Sequence, residues 1–438
     1  MKQCLKKIKY FCLLWLFCPL LVQAADGYPR LANYYLSFFR QNDYASLARW
    51  DLLVIQPDMA FLQAGFFPYY RAQHPQGKVL AYLYPSSFFE PTLFYDTWGW
   101  RRELKNKIQQ EDWWLKDEQG QKVKPWAGLY AVNLTDEDWQ KFNWRFIDKY
   151  YNLDKWDGAF FDLVDAEAAY YSDNLMDIDN DGQGDNAAKV NSRWQKATSA
   201  WLELSRQRLV DKLIIINGNS WPAYQSNINR RMFETFPTPW EGSGRWWDSM
   251  EQYLQKLPAL NYQPQIYIIN GVYDAKLKES PDEQMRFALA STLLGDGYFS
   301  FDAGESSHSQ QWWFDEYEVN LGEPEGQAQN LGNGLWRRDF TNGAVVVNSG
   351  AVKRQLTLPA GRFKRLAGLT EPQVNNGQAV VELTLCPRRG LLLLKQATPQ
   401  PDLTKVARSF DWQAANQPVD WWLTFRRQIE EWLSYFRR

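Results

Sequence analysis

The sequence predicts a (β/α)8 TIM barrel, followed by a small antiparallel β domain and a C-terminal amphipathic helix. Three observations carry the prediction. Eight short, near-continuous apolar runs follow the first 25 residues, as expected of parallel strands buried on both faces. Helix-like stretches such as Trp139 to Tyr150, Ser192 to Leu209 and Asp282 to Leu294 lie between them. From about Gly334 the texture changes to strand-length runs punctuated by turn signals. The bulk composition agrees with a globular chain: 438 residues, 45% hydrophobic and 23% charged.

The first segment, residues 1–24, reads as a signal peptide. Lys2, Lys6, Lys7 and Lys9 precede an apolar run from Tyr10 to Val22, and Val22-Gln23-Ala24 supplies a small-residue cleavage site. The alternative is a signal anchor, although the run is short for a membrane span. Its removal takes four Lys and no acid, so the whole-chain charge of −2 becomes −6. Cys4, Cys12 and Cys18 leave with it, and the remaining Cys386 has no internal disulfide partner.

The barrel is expected over residues 25–330. Its strands are read at Arg30–Leu36, Trp50–Gln56, Lys78–Tyr84, Asp157–Asp162, Lys212–Asn217, Arg231–Thr235, Gln265–Asn270 and Gly297–Asp302. An open doubly wound sheet is the alternative, but no glycine-rich phosphate fingerprint follows the first strand. Residues 331–397 form the β domain, a small sandwich in which Asn342-Gly343 marks a hairpin. A polar linker occupies 398–416. Residues 417–438 place Trp421, Trp422, Phe425, Ile429, Trp432, Leu433 and Phe436 on one helical face. That face docks on the chain itself, on an envelope partner or on a membrane surface.

In such a barrel the active site forms at the carboxyl ends of the strands. The strand exits offer Tyr35, Gln56, Tyr84, Asp162 with Asp165, Asn217 with Asn219, Glu234, Asn270 and Asp302, to which Trp221 and Trp240 in the following loops add aromatic faces. Carboxylates, amides and tyrosines dominate. Two carboxylates across a polar cleft suit glycoside hydrolysis: one protonates the leaving oxygen, and the other attacks or activates water. Asp162, delivered by Gly158-Ala159-Phe160-Phe161, and Glu234, delivered by Arg231-Met232-Phe233, are the leading pair. Asp165, Asp302 and Glu305 are the substitutes. The competing reading makes each acid a helix cap or the partner of an arginine such as Arg230. A zinc site or a histidine triad would have to use His74 or His308, and neither has ligand-spaced neighbours. No organic cofactor is expected, and the balanced charge leaves no footprint for nucleic acid.

Tyr34-Tyr35, WDLLVIQ, AYLYPSS, WDGAFFDLVD and the Asn217-Gly218-Asn219 triplet together resemble hypothetical glycosyl hydrolase family fifteen, over roughly residues 28–305. That family is in turn similar to the endo-α-1,4-polygalactosaminidase barrels of glycoside hydrolase family 114. The resemblance implies an exported, periplasmic or extracellular enzyme acting on a polysaccharide, with Asp162 at the strand-four aspartate and Glu234 at the later acid. An α-linked aminosugar polymer would be its substrate. The two positions also look like those of α-galactosidase-type barrels, where the first acid is nucleophile and the second proton donor. The rival reading is a catalytically inactive barrel that binds an exopolysaccharide within an assembly or export complex.

Two further features stand out. There are 23 Trp, 23 Tyr and 25 Phe, more aromatics than a core requires, and sugar rings stack on such faces. Trp98, Trp100, Trp113, Trp114 and Trp126 crowd one loop segment, while Trp246, Trp247, Trp312 and Trp313 follow later strands. Separately, Asp177, Asp179, Asp181, Gln183 and Asp185 occupy positions 1, 3, 5, 7 and 9 of an EF-hand-like loop, with Gly182 at position 6, so a structural Ca2+ is expected. Position 12 is Ala188, so the bidentate glutamate is missing.

Overall fold

The computed structural model describes residues 27–89, 99–126, 128–218, 221–255, 262–303 and 308–405. The signal segment, Asn219, Glu305, Trp98, most of the linker and the C-terminal helix lie outside the described residues.

Eight parallel strands, β1 (Ala32–Tyr35), β2 (Leu52–Ile55), β3 (Lys78–Leu83), β4 (Gly158–Val164), β5 (Leu213–Gly218), β6 (Arg230–Phe236), β7 (Ile268–Val272) and β8 (Tyr298–Asp302), pair in sequence order. The β8 strand returns beside β1, where the Phe299 N–H donates to the Arg30 carbonyl at 2.9 Å, and the sheet curls into a nearly closed barrel. The predicted (β/α)8 architecture is therefore the one observed. Apolar residues at every second position, such as Tyr34, Val54, Leu80, Phe160 and Ile215, fill the interior, and those between them face the helices. Gly158 opens β4 because the Leu213 carbonyl would lie 2.0 Å from a Cβ there.

Local signals start the crossover helices. The Asp136 carboxylate accepts from the amides of Asp138 and Trp139 ahead of Glu137–Tyr151, Asn186 caps Ala187–Arg208, and Ser280 and Glu283 form a capping box at Pro281–Thr292. Two connections are leaner than the predicted units. Between β1 and β2 the α-helix has four residues, and between β5 and β6 the described residues hold a single 3-10 turn, Pro222–Tyr224. No helix among the described residues is long and apolar enough to cross a membrane.

The C-terminal strands are β9 (Gln329–Gly332), β10 (Leu335–Asp339), β11 (Gly343–Asn348), β12 (Arg354–Thr357), β13 (Phe363–Arg365), β14 (Ala379–Val380), β15 (Glu382–Leu385) and β16 (Arg389–Lys395). Six of them form one sheet, in the order β9-β10-β11-β16-β13-β14, and β12 pairs with β15. Val346, Leu391 and Leu393 face Leu383 and Leu385 of the smaller sheet, whereas Val345, Val347, Leu392 and Leu394 join the outer core of the barrel. Arg338 extends this seam by donating to Asp296 at 2.6 Å and to the Leu293 carbonyl.

The hairpin falls one residue earlier than its dipeptide signal suggests. Phe340 and Gly343 exchange backbone hydrogen bonds, so Thr341 and Asn342 form the loop. Gly343 serves a different need: a Cβ there would lie 2.2 Å from the Leu393 carbonyl.

Candidate active site

Strand alternation decides which side chains reach the mouth of the barrel. Continuing the inward positions upward gives Tyr34 on β1, Gln56 beyond β2, Tyr82 and Tyr84 on and beyond β3, Asp162 on β4, Asn217 on β5, Glu234 on β6, Asn270 on β7 and Asp302 on β8. Tyr35 has the wrong parity. It packs in the outer core against Phe39, and Tyr34 takes the inward place.

Asp162 and Glu234 share a partner. One Asn217 nitrogen, Nδ2, donates to Asp162 Oδ1 at 2.9 Å and to Glu234 Oε2 at 2.7 Å. The two N–H bonds of an amide diverge by about 120°, which sets these oxygens about 5 Å apart. Tyr82 donates to Asp162 Oδ2 at 2.5 Å, and the Leu163 amide donates to Oδ1 at 2.9 Å. The arginine alternative does not hold for Glu234, since Arg230 bonds Gln225 and Gln265.

Both acid-bearing strands break register at the acid. The β4 ladder shifts between Phe161 and Val164, and the β6 ladder between Phe233 and Phe236. The residue after each acid has a left-handed backbone: Leu163 at φ 57° and Thr235 at φ 54°. That conformation is costly for a side chain, most of all a β-branched one. Bulges of this kind re-aim the residues beside them.

Burial pushes the Glu234 carboxyl up to about 7, with repulsion from Asp162 adding to it, while His308 and the Asn217 hydrogen bond oppose the rise. His308 is the residue that spacing arguments missed. Its Nδ1 lies 2.9 Å from Asp302 Oδ2, and its Nε2 lies 3.9 Å from Glu234 Oε1. Its ring meets the Tyr34 ring edge-on, with centroids 4.5 Å apart. Burial favours the neutral imidazole, but Asp302 and then Glu234 outweigh it, and His308 titrates above the ordinary histidine value. The hint in the sequence was scarcity: one of only two histidines stands six residues beyond the last strand.

The remaining candidates divide. Asn270 is buried and donates to Asp302 Oδ2 at 2.8 Å, so Asp302 is occupied by Asn270 and His308. The Asn270 and Gln56 amide oxygens are buried without a protein partner. Tyr84 stands beside Tyr82, 5.6 Å between centroids. Asp165 Oδ2 accepts from Tyr170 and Tyr171 at 2.7 and 2.8 Å; burial raises its carboxyl above the ordinary range against those two bonds. Trp221 and Trp240 are exposed in the loops after β5 and β6, as is Trp126 before β4. Trp113, Trp114, Trp246 and Trp313 belong to the core instead, and Trp247 stacks on Trp336. Much of the tryptophan surplus is therefore packing.

In the acidic loop, carboxylate oxygens of Asp177, Asp179 and Asp185 converge within 4.8 Å of one another, while the Asp181 carboxylate is not in that group. The Lys189 ammonium reaches Asp179 at 2.7 Å and Asp185 at 2.5 Å. Asp177 also accepts from the amides of Asp181 and Gly182, as an Asx turn does.

The family model for hypothetical glycosyl hydrolase family 15 matches residues 71–344. The chain belongs to that family. The resemblance read from its strand motifs is thus borne out, and by membership the protein is a glycoside hydrolase. No curated protein matches it. Among solved structures it is similar to the glycoside hydrolase domain of PelA from Pseudomonas aeruginosa, at 12% identity over 65% of this chain and 97% of that one, TM-score 0.42. An Anoxybacillus α-amylase matches at 11% over 83% and 90%, TM-score 0.44. The GH36 α-galactosidase AgaB from Geobacillus stearothermophilus matches at 10% over 85% and 56%, TM-score 0.46.

Proposed function

We propose that this protein is an exported, retaining glycoside hydrolase that cleaves an envelope or extracellular polysaccharide, with Asp162 as nucleophile and Glu234 as proton donor. The observation that carries the reading is the shared Asn217 nitrogen, which holds two acids of unlike environment about 5 Å apart, the spacing of retaining rather than inverting pairs. Asp162, held in place by Tyr82, Asn217 and a backbone amide, attacks the anomeric carbon through a carboxylate oxygen. Glu234 still holds a proton near neutrality and gives it to the departing glycosidic oxygen, which leaves an Asp162 glycosyl ester. Water then enters; Glu234 takes its proton, the ester opens, and the sugar leaves with its original anomeric configuration.

The substrate we propose is a cationic aminosugar polymer. Asp162, Asp165, Glu234 and Asp302 gather around the mouth, outnumbering the cations beside them, His308 at Glu234 and Asp302 and the Glu241-paired Arg231 near Asp165, and clefts of one sign concentrate ligands of the other. The direct test is reducing-end release from a panel of exopolysaccharides that includes aminosugar polymers, with NMR of the first anomer formed. Release with retained configuration is expected. Inverted product would remove the nucleophile role from Asp162, and binding without release would favour the inactive, polymer-binding barrel.

We also propose that the Asp177, Asp179 and Asp185 cluster takes calcium, which would displace the Lys189 ammonium. Three converging carboxylate oxygens suit a hard cation, and an ammonium already lies among them. Because Lys116–Asp117 pairs with Met176–Asp177, an ion here would brace the segment between β3 and β4 against the loop after Asp162. Millimolar calcium should raise the unfolding midpoint and chelation should reverse it, more strongly in Lys189→Met. A midpoint that ignores both treatments in both proteins would remove the metal.

A further inference from the structure

We propose that His308, held by Asp302, is a positioning residue that governs the proton on Glu234 through Nε2, so that the Asp302–His308 pair acts as a single device behind the acid. The proposal rests on Glu234 being the proton donor and adds what sets that proton.

The geometry leaves His308 little freedom. Its backbone carbonyl accepts from the Leu36 N–H at 2.8 Å, which ties it to the end of β1. Its ring lies against Tyr34, and Nδ1 is held by the 1% exposed Asp302 on β8. Asn270 from β7 holds the same Asp302 oxygen at 2.8 Å. Facing a carboxylate, Nδ1 carries the hydrogen and donates it, which fixes the tautomer and leaves Nε2 as the exchangeable nitrogen. Nε2 lies 3.9 Å from Glu234 Oε1, close enough for strong electrostatic coupling but too far for a direct hydrogen bond.

The groups facing Glu234 are Asp162 from β4, the Asn217 amide from β5, Asp302 from β8, His308 beyond β8 and the Tyr34 phenol from β1. Those facing His308 are Asp302, Glu234, Asp162 and the Tyr34 ring. Two of Glu234's neighbours are acids that hold its proton on. An imidazolium at His308 is a counterweight alongside the Asn217 hydrogen bond, and Asp302 favours that charged form. Asp302 and His308⁺ together carry no net charge, yet the positive end of the pair points at Glu234. Glu234 and His308 should therefore titrate as a coupled pair rather than singly.

The chain has only two histidines, so the imidazole NMR spectrum of the untagged protein contains His308 and His74, and His74→Gln assigns them. His74 lies 3.1 Å from Asp51, before β3. The expected result is a His308 titration above that of an ordinary histidine, with a second inflection near pH 7 where Glu234 changes charge. Glu234→Gln should abolish the second inflection and lower the main midpoint by about one unit or more, as loss of an opposite charge at this range does. Asp302→Asn should lower it as well. Where turnover is measurable, His308→Gln should move the alkaline limb of kcat/KM upward, because Glu234 then faces two acids without the imidazolium; a merely structural role would lower kcat and leave the limb in place. A single His308 step that Glu234→Gln does not move would overturn the proposal. The NMR arm needs no substrate, so it decides the coupling even if hydrolysis is never seen.

Discussion

Asp162→Asn is expected to lower kcat by at least about 1,000-fold while leaving the barrel folded. An amide cannot form the glycosyl ester, so the two-step route loses its first bond. The fold has little reason to respond. The Asn oxygen still accepts from Asn217 and the Leu163 amide, and the new NH2 meets the Tyr82 hydroxyl, which can turn to accept. The substitution also removes the charge that repels a Glu234 anion. Whatever activity remains should lose its alkaline limb at lower pH than in the wild type. In Asp162→Ala, where truncation opens space beside the anomeric carbon, a small anion such as azide at high concentration should attack in place of the carboxylate as the glycosidic oxygen leaves, giving a glycosyl azide of opposite configuration. Turnover by Asp162→Asn within tenfold of wild type would end the nucleophile assignment.

The second large effect belongs to Glu234→Gln, and it has two separable parts. In catalysis, loss of the proton donor should cost about 100- to 10,000-fold on the natural polymer. It should cost far less on a substrate with a nitrophenolate leaving group, which needs no protonation. In stability the sign is opposite. The folded protein retains the Glu234 proton to about pH 7, whereas the unfolded chain releases it near the ordinary glutamate value of 4.5. The folded state therefore binds more protons between these values, and this residue makes stability fall as pH rises through the window. The penalty is fully present above about pH 7 and is on the order of 3 kcal/mol. Thermal unfolding of Glu234→Gln should match wild type near pH 4 and exceed it at pH 8. A variant less stable than wild type at pH 8 would mean that the buried carboxylate is better satisfied than its surroundings indicate.

Much of the architecture was legible because its signals are local. Each barrel strand is a run of β-branched and aromatic residues long enough to cross the core, as in Leu213-Ile214-Ile215-Ile216, and each long crossover helix announces itself with a cap such as Asp136 or Ser280. Strand ends could be read to within a few residues, so the acids at those ends, Asp162 and Glu234, could be named from the chain. Parity was harder. Tyr34 and Tyr35 are adjacent and alike, and which one faces inward depends on the β1 register against β2 and β8, which no residue near them reports. The tryptophans failed as signals for a related reason. An indole looks the same in the chain whether it is buried, as Trp114 is, or at the surface, as Trp240 is, and only long-range packing distinguishes them.

The sequence by itself determined the barrel, the antiparallel strands that follow it, the family, and the two acids that stand at the ends of the fourth and sixth strands, because periodicity and capping act over a few residues and survive without tertiary context. The tertiary structure alone decided the meeting of groups far apart in the chain. Barrel closure brings β8 beside β1 and carries His308 to Tyr34 and Glu234; the paired bulges at Leu163 and Thr235 fall where both acids stand; and Asn217 can bridge Asp162 and Glu234 only once three strands are in register. The physical reason is one of range. Side-chain alternation and helix caps are set by neighbours one to four residues away, whereas a proton affinity is set by charges within a few ångströms, whatever their separation along the chain.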